Sequence, residues 1–326
     1  MNKVMPLVRR GVNASRLALG CMPFGGSWDS EPFTEQHVKE AEAAVEAALE
    51  IGITMFDHAD IYTRGKAEQV FGRILQAKPE LREQIIIQSK CGIQLSDDQL
   101  PGRFNFSYDH IVQSVDDSLE RLGIDYLDVL LLHRPDPLVE PDEVAEALAV
   151  LKAAGKVRYF GVSNMSAPQI EFLQQAIPDS FAVNQLEMSL GHLHFVDQDI
   201  HVNQQAGTNV HFGSGLMEYC RSRHIQLQAW GPLAQGKFSG RNVDDQPEHI
   251  RQTAALVQQL ADQKDTTPEA IVLGWLMRHP AMIQPIVGTT NPERIKACQD
   301  AEHQAEQMSR DEWYQLYTSA RGQMVP

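Results

Sequence analysis

The chain has 326 residues, with 28 basic against 43 acidic side chains and a net charge of -15, and its length alone allows one large domain or two. That negative excess repels polyphosphate backbones, and no Lys/Arg stripe with interleaved aromatics interrupts it, so nucleic acid is not an expected partner. The start, Met1 to Arg10, has no uninterrupted apolar segment, and no run approaches the ~20 apolar residues of a bilayer span, so the expectation is a soluble, cytoplasmic protein without membrane contact.

Short apolar or β-branched runs alternate with segments of helical period along the whole chain, the α/β pattern. A strand is expected over 17–22, then a helix over 35–50, where Val38, Ala41, Ala44, Val45 and Ala48 fall on one face. Strands follow over 53–56 and 85–89, then a helix over 109–122 and a strand over 127–132. The helix over 141–154 starts with proline in its first turn and ends near Gly155. Strands over 157–162, 181–184, 225–229 and 283–287 alternate with helices over 168–176, 214–223, 247–262, 268–278 and 292–302. Eight strands without a Pro/Gly/Ser linker predict one (β/α)8 barrel, a single domain over 1–326 with a C-terminal extension. A doubly wound open sheet is the alternative, but no GxGxxG follows the first strand. The irregular stretches 94–105 and 191–213 and the tail from Met308 are expected to cover the barrel mouth.

Polar residues close three of these runs. Asp57 and Tyr62 follow the run 53–56, Lys90 follows 85–89 and His133 follows 127–132. A tyrosine with its ordinary pKa near ~10 exchanges a proton poorly at neutral pH unless a cation favours its phenolate, and a buried lysine needs a carboxylate to stay charged. Tyr62, Lys90 and Asp57 supply that chain, and His133 can hydrogen-bond the same substrate oxygen as the tyrosine. All four sit at C-terminal strand ends, where a barrel gathers its catalytic groups. Cys21, Cys91, Cys220 and Cys298 form no CxxC pair, and His192, His194 and His201 lack metal-site phasing, so neither a disulfide framework nor a metal is expected.

At these residues the sequence resembles the aldo-keto reductase superfamily, and the short-loop bacterial type within it, over essentially the whole chain. The likeness rests on Asp57, Tyr62, Lys90 and His133 in order, on Leu-Leu-His-Arg-Pro-Asp at 131–136 and on Gly-Lys-Val-Arg-Tyr-Phe-Gly-Val-Ser-Asn at 155–164. It implies an NADP(H)-dependent reductase acting on a small-molecule aldehyde or ketone, with Tyr62 as proton donor, Lys90 making the phenol more acidic, Asp57 holding Lys90 and His133 orienting the carbonyl.

The resemblance also implies the cofactor residues. Ser163, Asn164 and Gln185 match groups that hydrogen-bond the nicotinamide carboxamide, and Trp230 matches the aromatic that stacks on the ring. Gly231, Leu233 and Gln235 lie in the loop expected along the pyrophosphate, with Arg241 as a basic neighbour. Gly288, Thr289 and Thr290 open a helix whose first-turn amides can hold a phosphate, and the Arg294 guanidinium is expected on the adenosine 2′-phosphate. The sequence departs from the family at Ala297 and Cys298, where relatives contact the adenine, and at Gly231, which replaces a serine. Phe24 and Trp28 are expected at the substrate pocket. Two other functions suit the same pattern: a cofactor-binding regulatory or redox-sensing protein on this fold, and a barrel lyase with Lys90 as Schiff-base nucleophile. Oligomeric state has no signature in the sequence.

Overall fold

A row of short parallel strands, each followed by a helix, removes its own open edges by closing on itself. In the computed structural model, which describes residues 4–326, the strands do this. Residues 1–3 of the N-terminal stretch lie outside the described residues. The barrel consists of β1 (Ala18–Gly20), β2 (Met55–Asp57), β3 (Ile86–Cys91), β4 (Leu127–Leu132), β5 (Val157–Ser163), β6 (Val183–Glu187), β7 (Gln226–Trp230) and β8 (Gln284–Val287), with β1 paired to both β2 and β8. Most strands run further toward their C-terminal ends than the apolar runs suggest. Asp57, Lys90, Ser163, Gln185 and Trp230 are therefore ladder residues rather than loop residues. Backbone pairing outlasts the apolar run because the ladder's hydrogen bonds belong to the backbone, not to the side chains.

The outer layer follows the expected helices closely. The helix Glu35–Glu50 is capped by Thr34, whose hydroxyl accepts from His37 N, and Tyr108–Leu122 is capped by Ser107 and closed by left-handed Gly123. Lys66–Ala77, between β2 and β3, has no counterpart among the expected elements, although Ala67, Val70, Phe71, Ile74 and Leu75 bury one face of it. Gly72 interrupts that face for a steric reason: a Cβ there would lie 2.3 Å from the backbone oxygen of Arg121, so this helix and Tyr108–Leu122 touch backbone to backbone.

The segment expected as one helix over 292–302 is two, Pro292–Lys296 and Ala301–Gln307, separated by tight turns in which Cys298 N bonds Ile295 O and Ala301 N bonds Cys298 O. The stretch 94–105 belongs to a small antiparallel ribbon, Ile93–Gln94 with Arg103–Phe104, and 191–213 carries the short helix His194–Ile200. The tail is the helix Arg310–Arg321, started by a Ser309/Glu312 capping box. It packs on the outer helix Pro268–Met277 rather than over the mouth: Trp313 stacks on Trp275 at 5.2 Å, and each indole N–H donates to the other's carbonyl. Among the described residues no helix is long and apolar enough to cross a membrane.

Gly72→Ala should lower the melting temperature. Alanine normally gains ~1 kcal/mol over glycine inside a helix, but the clash with Arg121 O should reverse the sign and cost about 1–3 kcal/mol. Thermal unfolding followed by circular dichroism checks this, and a variant as stable as the parent or more so contradicts the close approach.

Candidate active site

Asp57 is the ladder partner of Gln88, two residues before Lys90. Side chains on a strand alternate, so Gln88 and Lys90 point to the same side, the barrel interior. The pairing continues past β2: His58 N donates to Gln88 O at 2.8 Å and Asp60 N to Lys90 O at 3.0 Å. This lays the turn that carries Tyr62 across the end of β3. Lys90 Nζ then lies 2.8 Å from Asp57 Oδ2, from the His58 carbonyl and from the Tyr62 hydroxyl, so each ammonium hydrogen has an acceptor. Lys90 is 1 % exposed. Asp57 Oδ1 accepts from Gln88 and Gln185 instead.

The turn after Tyr62 is strained. Thr63, Arg64 and Gly65 stand in succession at φ 47°, 60° and 85°, a region that costs a non-glycine residue roughly 1 kcal/mol or more. The Thr63 side chain, 2.8 Å from the Phe24 carbonyl, holds it there.

Burial pushes the Tyr62 phenol above its ordinary value; the Lys90 charge and hydrogen bond pull it down, but by less. The expected acidifying effect of Lys90 is thus present and exceeded. For Lys90, burial acts to lower the ammonium, and Asp57 together with Tyr62 outweighs it, leaving it raised. At neutral pH a protonated phenol therefore stands against a charged ammonium.

His133 follows β4, with its backbone N on Cys91 O at 2.9 Å and its ring edge-on to Tyr62 at 6.0 Å. Burial, then the charges of Lys90 and Arg134, hold its imidazole well below the usual range, so it is neutral. Its buried Nδ1 has no protein partner.

A cavity of about 520 Å³ opens over these groups at the C-terminal strand ends, with Asp57, Tyr62 and His133 on its wall. Of the expected cofactor residues, Ser163, Asn164, Gln185, Trp230, Gly231, Leu233, Gln235, Gly288, Thr289 and Arg294 also line it. Thr290 and Arg241 do not, and Arg241 instead reaches Gln235 at 3.4 Å. Ser163, Asn164 and Trp230 bond one another: Asn164 Nδ2 donates to Ser163 Oγ at 2.8 Å, and Trp230 Nε1 donates to Asn164 Oδ1 at 3.1 Å, which fixes the indole plane.

The wall fits a dinucleotide. A Cβ at Gly231 or Gly288 would meet open space, so bare backbone faces the cavity there, beside a flat indole and the Arg294 guanidinium. The phosphate-holding amides expected at the helix after β8 are already engaged, since Asn291 Oδ1 accepts from Glu293 N and Arg294 N. Arg294 itself lies 3.4 Å from Ser239 Oγ and 3.6 Å from Glu269 Oε1. Cys298 is buried, its thiol pushed up to about 12 and its Sγ on Arg294 O.

Two expected pocket residues are elsewhere. Phe24 turns into the core and stacks on Phe71, and Trp28 is 42 % exposed off the cavity wall, its carbonyl taking Arg64 Nε. Met22, Pro23 and Arg134 occupy the wall instead. Their only sequence signal is adjacency, Arg134 to His133 and Met22-Pro23 to the end of β1. Among the described residues no group of His, Cys, Asp or Glu could hold a metal ion.

A family model described as "Aldo/keto reductase family" matches residues 16–318. An uncharacterised oxidoreductase of Bacillus subtilis, YcsN, is 37 % identical over 298 residues, covering 90 % of this chain and 92 % of the relative. A 6-dehydroglucose reductase of Agrobacterium fabrum is 36 % identical over 316 residues, covering 95 % and 96 %. The solved structure of a glycerol dehydrogenase from Gluconobacter oxydans superposes with a TM-score of 0.74 at 21 % identity, covering 96 % of this chain and 94 % of that one, a likeness of fold.

Among the twelve histidines, His58 and His133 should not titrate between about pH 5 and 8 in a histidine-resolved NMR series. His58 is fully buried, both ring nitrogens lack partners, and burial followed by the Lys90 charge brings it down to about 3. The unfolded chain takes these protons near the ordinary 6.5 and the folded one does not. Both groups therefore subtract stability as the pH falls below about 6.5, His58 down to about 3. A His58 resonance that titrates near 6.5 in the folded protein contradicts the site's electrostatics.

Proposed function

The chain belongs to the aldo/keto reductase family, and on that premise we propose that it is an NADP(H)-dependent reductase converting an aldehyde or ketone to an alcohol, with Tyr62 as proton donor. The observation that carries this reading is the single ammonium of Lys90 at 2.8 Å from both Asp57 Oδ2 and Tyr62 OH beneath the cavity floor. When bound, NADPH supplies the hydride. Tyr62 gives its proton to the carbonyl oxygen, and Lys90 stabilises the phenolate left behind. Asp57 keeps Lys90 charged and aimed, and neutral His133 offers one N–H to the same oxygen.

In this reading Trp230, Ser163, Asn164 and Gln185 orient the nicotinamide, the backbone around Gly231 and Gly288 receives the pyrophosphate, and Arg294 takes the 2′-phosphate. The Agrobacterium relative is named for reducing a sugar-derived carbonyl, and a polar carbonyl substrate of that kind suits a wall carrying Tyr62, His133 and Arg134. Two observations weigh against the other functions. Lys90 is enclosed by three partners and is absent from the cavity wall, which leaves no room for a Schiff base. A purely regulatory role gives no reason to keep all four polar groups together.

Tyr62→Phe should cut turnover by about 10²-fold or more and leave NADPH affinity nearly intact, because the proton moves only in the transition state. Steady-state rates with a panel of carbonyl compounds, read as NADPH oxidation, test this; wild-type turnover in the variant sinks the assignment.

Arg294→Ala should weaken NADPH by roughly 10- to 150-fold and barely change NADH, since a charge-assisted bond contributes about 1.5–3 kcal/mol. Titration of both cofactors by tryptophan fluorescence quenching reads the two affinities, and equal losses would remove the basis for NADP preference.

A further inference from the structure

Branched aliphatic side chains ordinarily fill the layers of such a barrel. Here Gln88, Gln185, Gln228 and Gln284 come from β3, β6, β7 and β8, each 3 % exposed or less. Burying a primary amide costs free energy unless its donors and acceptors find partners. Gln88 Nε2 lies 2.6 Å from Asp57 Oδ1 and 2.9 Å from Gln228 Oε1. Gln185 Nε2 lies 3.0 Å from the same Asp57 oxygen and 3.1 Å from the same Gln228 oxygen. Two NH2 groups thus bridge the same two oxygens in a closed ring of four hydrogen bonds, and each uses both of its hydrogens. Turning either amide over would set oxygen against two oxygens, so chemistry dictates the orientation.

Gln228 is anchored from below: its Nε2 donates to Gln284 Oε1 at 2.9 Å, and Gln284 Nε2 donates to the Ser15 carbonyl at 2.6 Å. Asp57 and Gln88 are ladder partners, as are Gln185 and Gln228, and Gln228 and Gln284. The ring therefore ties two separate pairs of strands across the lumen.

We infer that Gln88 and Gln228 are positioning residues for the reaction, holding Asp57 so that its second oxygen faces Lys90 and holding Gln185 so that its carbonyl oxygen is the end left to the cavity. The inference rests on reading Asp57, Lys90 and Tyr62 as the proton-transfer chain and adds that the amide ring sets both the aim of that chain and the seat of the nicotinamide. Gln88 bonds Asp57 directly, whereas Gln228 bonds Gln185 directly and reaches Asp57 only through the two bridging amides, so the two residues have different signatures.

Gln88→Met and Gln228→Met keep much of the volume and remove the bonds. Gln88→Met should lower kcat about tenfold with KM for the carbonyl nearly unchanged. It should also move the alkaline limb of kcat upward, because a carboxylate with one donor fewer acts more strongly on Lys90 and Tyr62 and raises their proton affinity. Gln228→Met should lower kcat and also weaken NADPH, read by fluorescence quenching. Gln88→Leu removes the same two bonds with a shorter apolar side chain, so its limb should move upward as well; it serves where methionine at 88 does not fold. Wild-type kcat and limb in these variants overturn the inference. So does a loss of kcat that tracks only a lower melting temperature while the limb stays in place. With Tyr62→Phe inactive, such results sink the positioning role alone, whereas an active Tyr62→Phe sinks the underlying reading itself.

Discussion

An ammonium and a carboxylate 2.8 Å apart inside a closed barrel set the terms for everything around them. Removing two charges from water costs several kcal/mol per ion, and their attraction restores this only if the remaining valences are also satisfied. Lys90 meets that demand with the His58 carbonyl and the Tyr62 hydroxyl, Asp57 with two glutamine amides. The pair is thus a poor source of stability and a strict geometric constraint. It accords with a ladder between β2 and β3 that continues through His58 and Asp60 after β2 formally ends: the same backbone bonds that extend the sheet bring the Tyr62 hydroxyl to its third of the ammonium.

The other face of β3 carries a second polar layer. Ser89 points away from the lumen and donates to Glu68 Oε1 at 2.6 Å, and Glu68 Oε2 takes Arg121 Nε at 2.8 Å. Asp60, between the two layers, has a carboxyl pushed up to about 8, chiefly by burial and then by Glu68. One six-residue strand therefore joins the floor of the cavity to the helices behind it. The absent side chain of Gly72 lets those helices approach closely enough for Arg121 to reach Glu68. The strained turn at Thr63 and Arg64 is over-determined from both sides, which is how such backbone persists.

Much of this was legible in the sequence, and the residues show why the rest was not. Asp57, Lys90 and His133 each end an apolar run, so a change from apolar to polar marked both the strand end and the chemistry. Helix Lys66–Ala77 carries the right spacing of apolar residues, but Gly65 gives it no side-chain cap and Gly72 breaks its middle. What requires the glycine is a tertiary contact with Arg121 that the local sequence does not encode. Phe24, beside two glycines, reads equally as rim or core, and only the position of Phe71 decides it. Gln88 and Gln228 match no motif in the sequence. Gln88 and Gln228 are meaningful because they meet across the lumen from strands 140 residues apart in the chain, a coincidence that no periodicity reveals.

The two ends of the cavity are built on opposite principles. At the end that holds Lys90 and Asp57, each of these two charged groups has several partners and one geometry. At the far end Asn291 caps the helix amides, and the Arg294 guanidinium makes long contacts, 3.4 Å to Ser239 and 3.6 Å to Glu269. A guanidinium held that loosely retains most of its capacity for bidentate bonding, and an arriving phosphate needs only to displace weak partners. Glu269, itself largely buried, then keeps the arginine near the cavity without competing strongly for it. Under the proposed reading, the reaction's precision comes from the rigid end and the choice between cofactors from the adaptable one. Binding at Arg294 can therefore be tuned without disturbing the proton-transfer chain at the other end of the cavity.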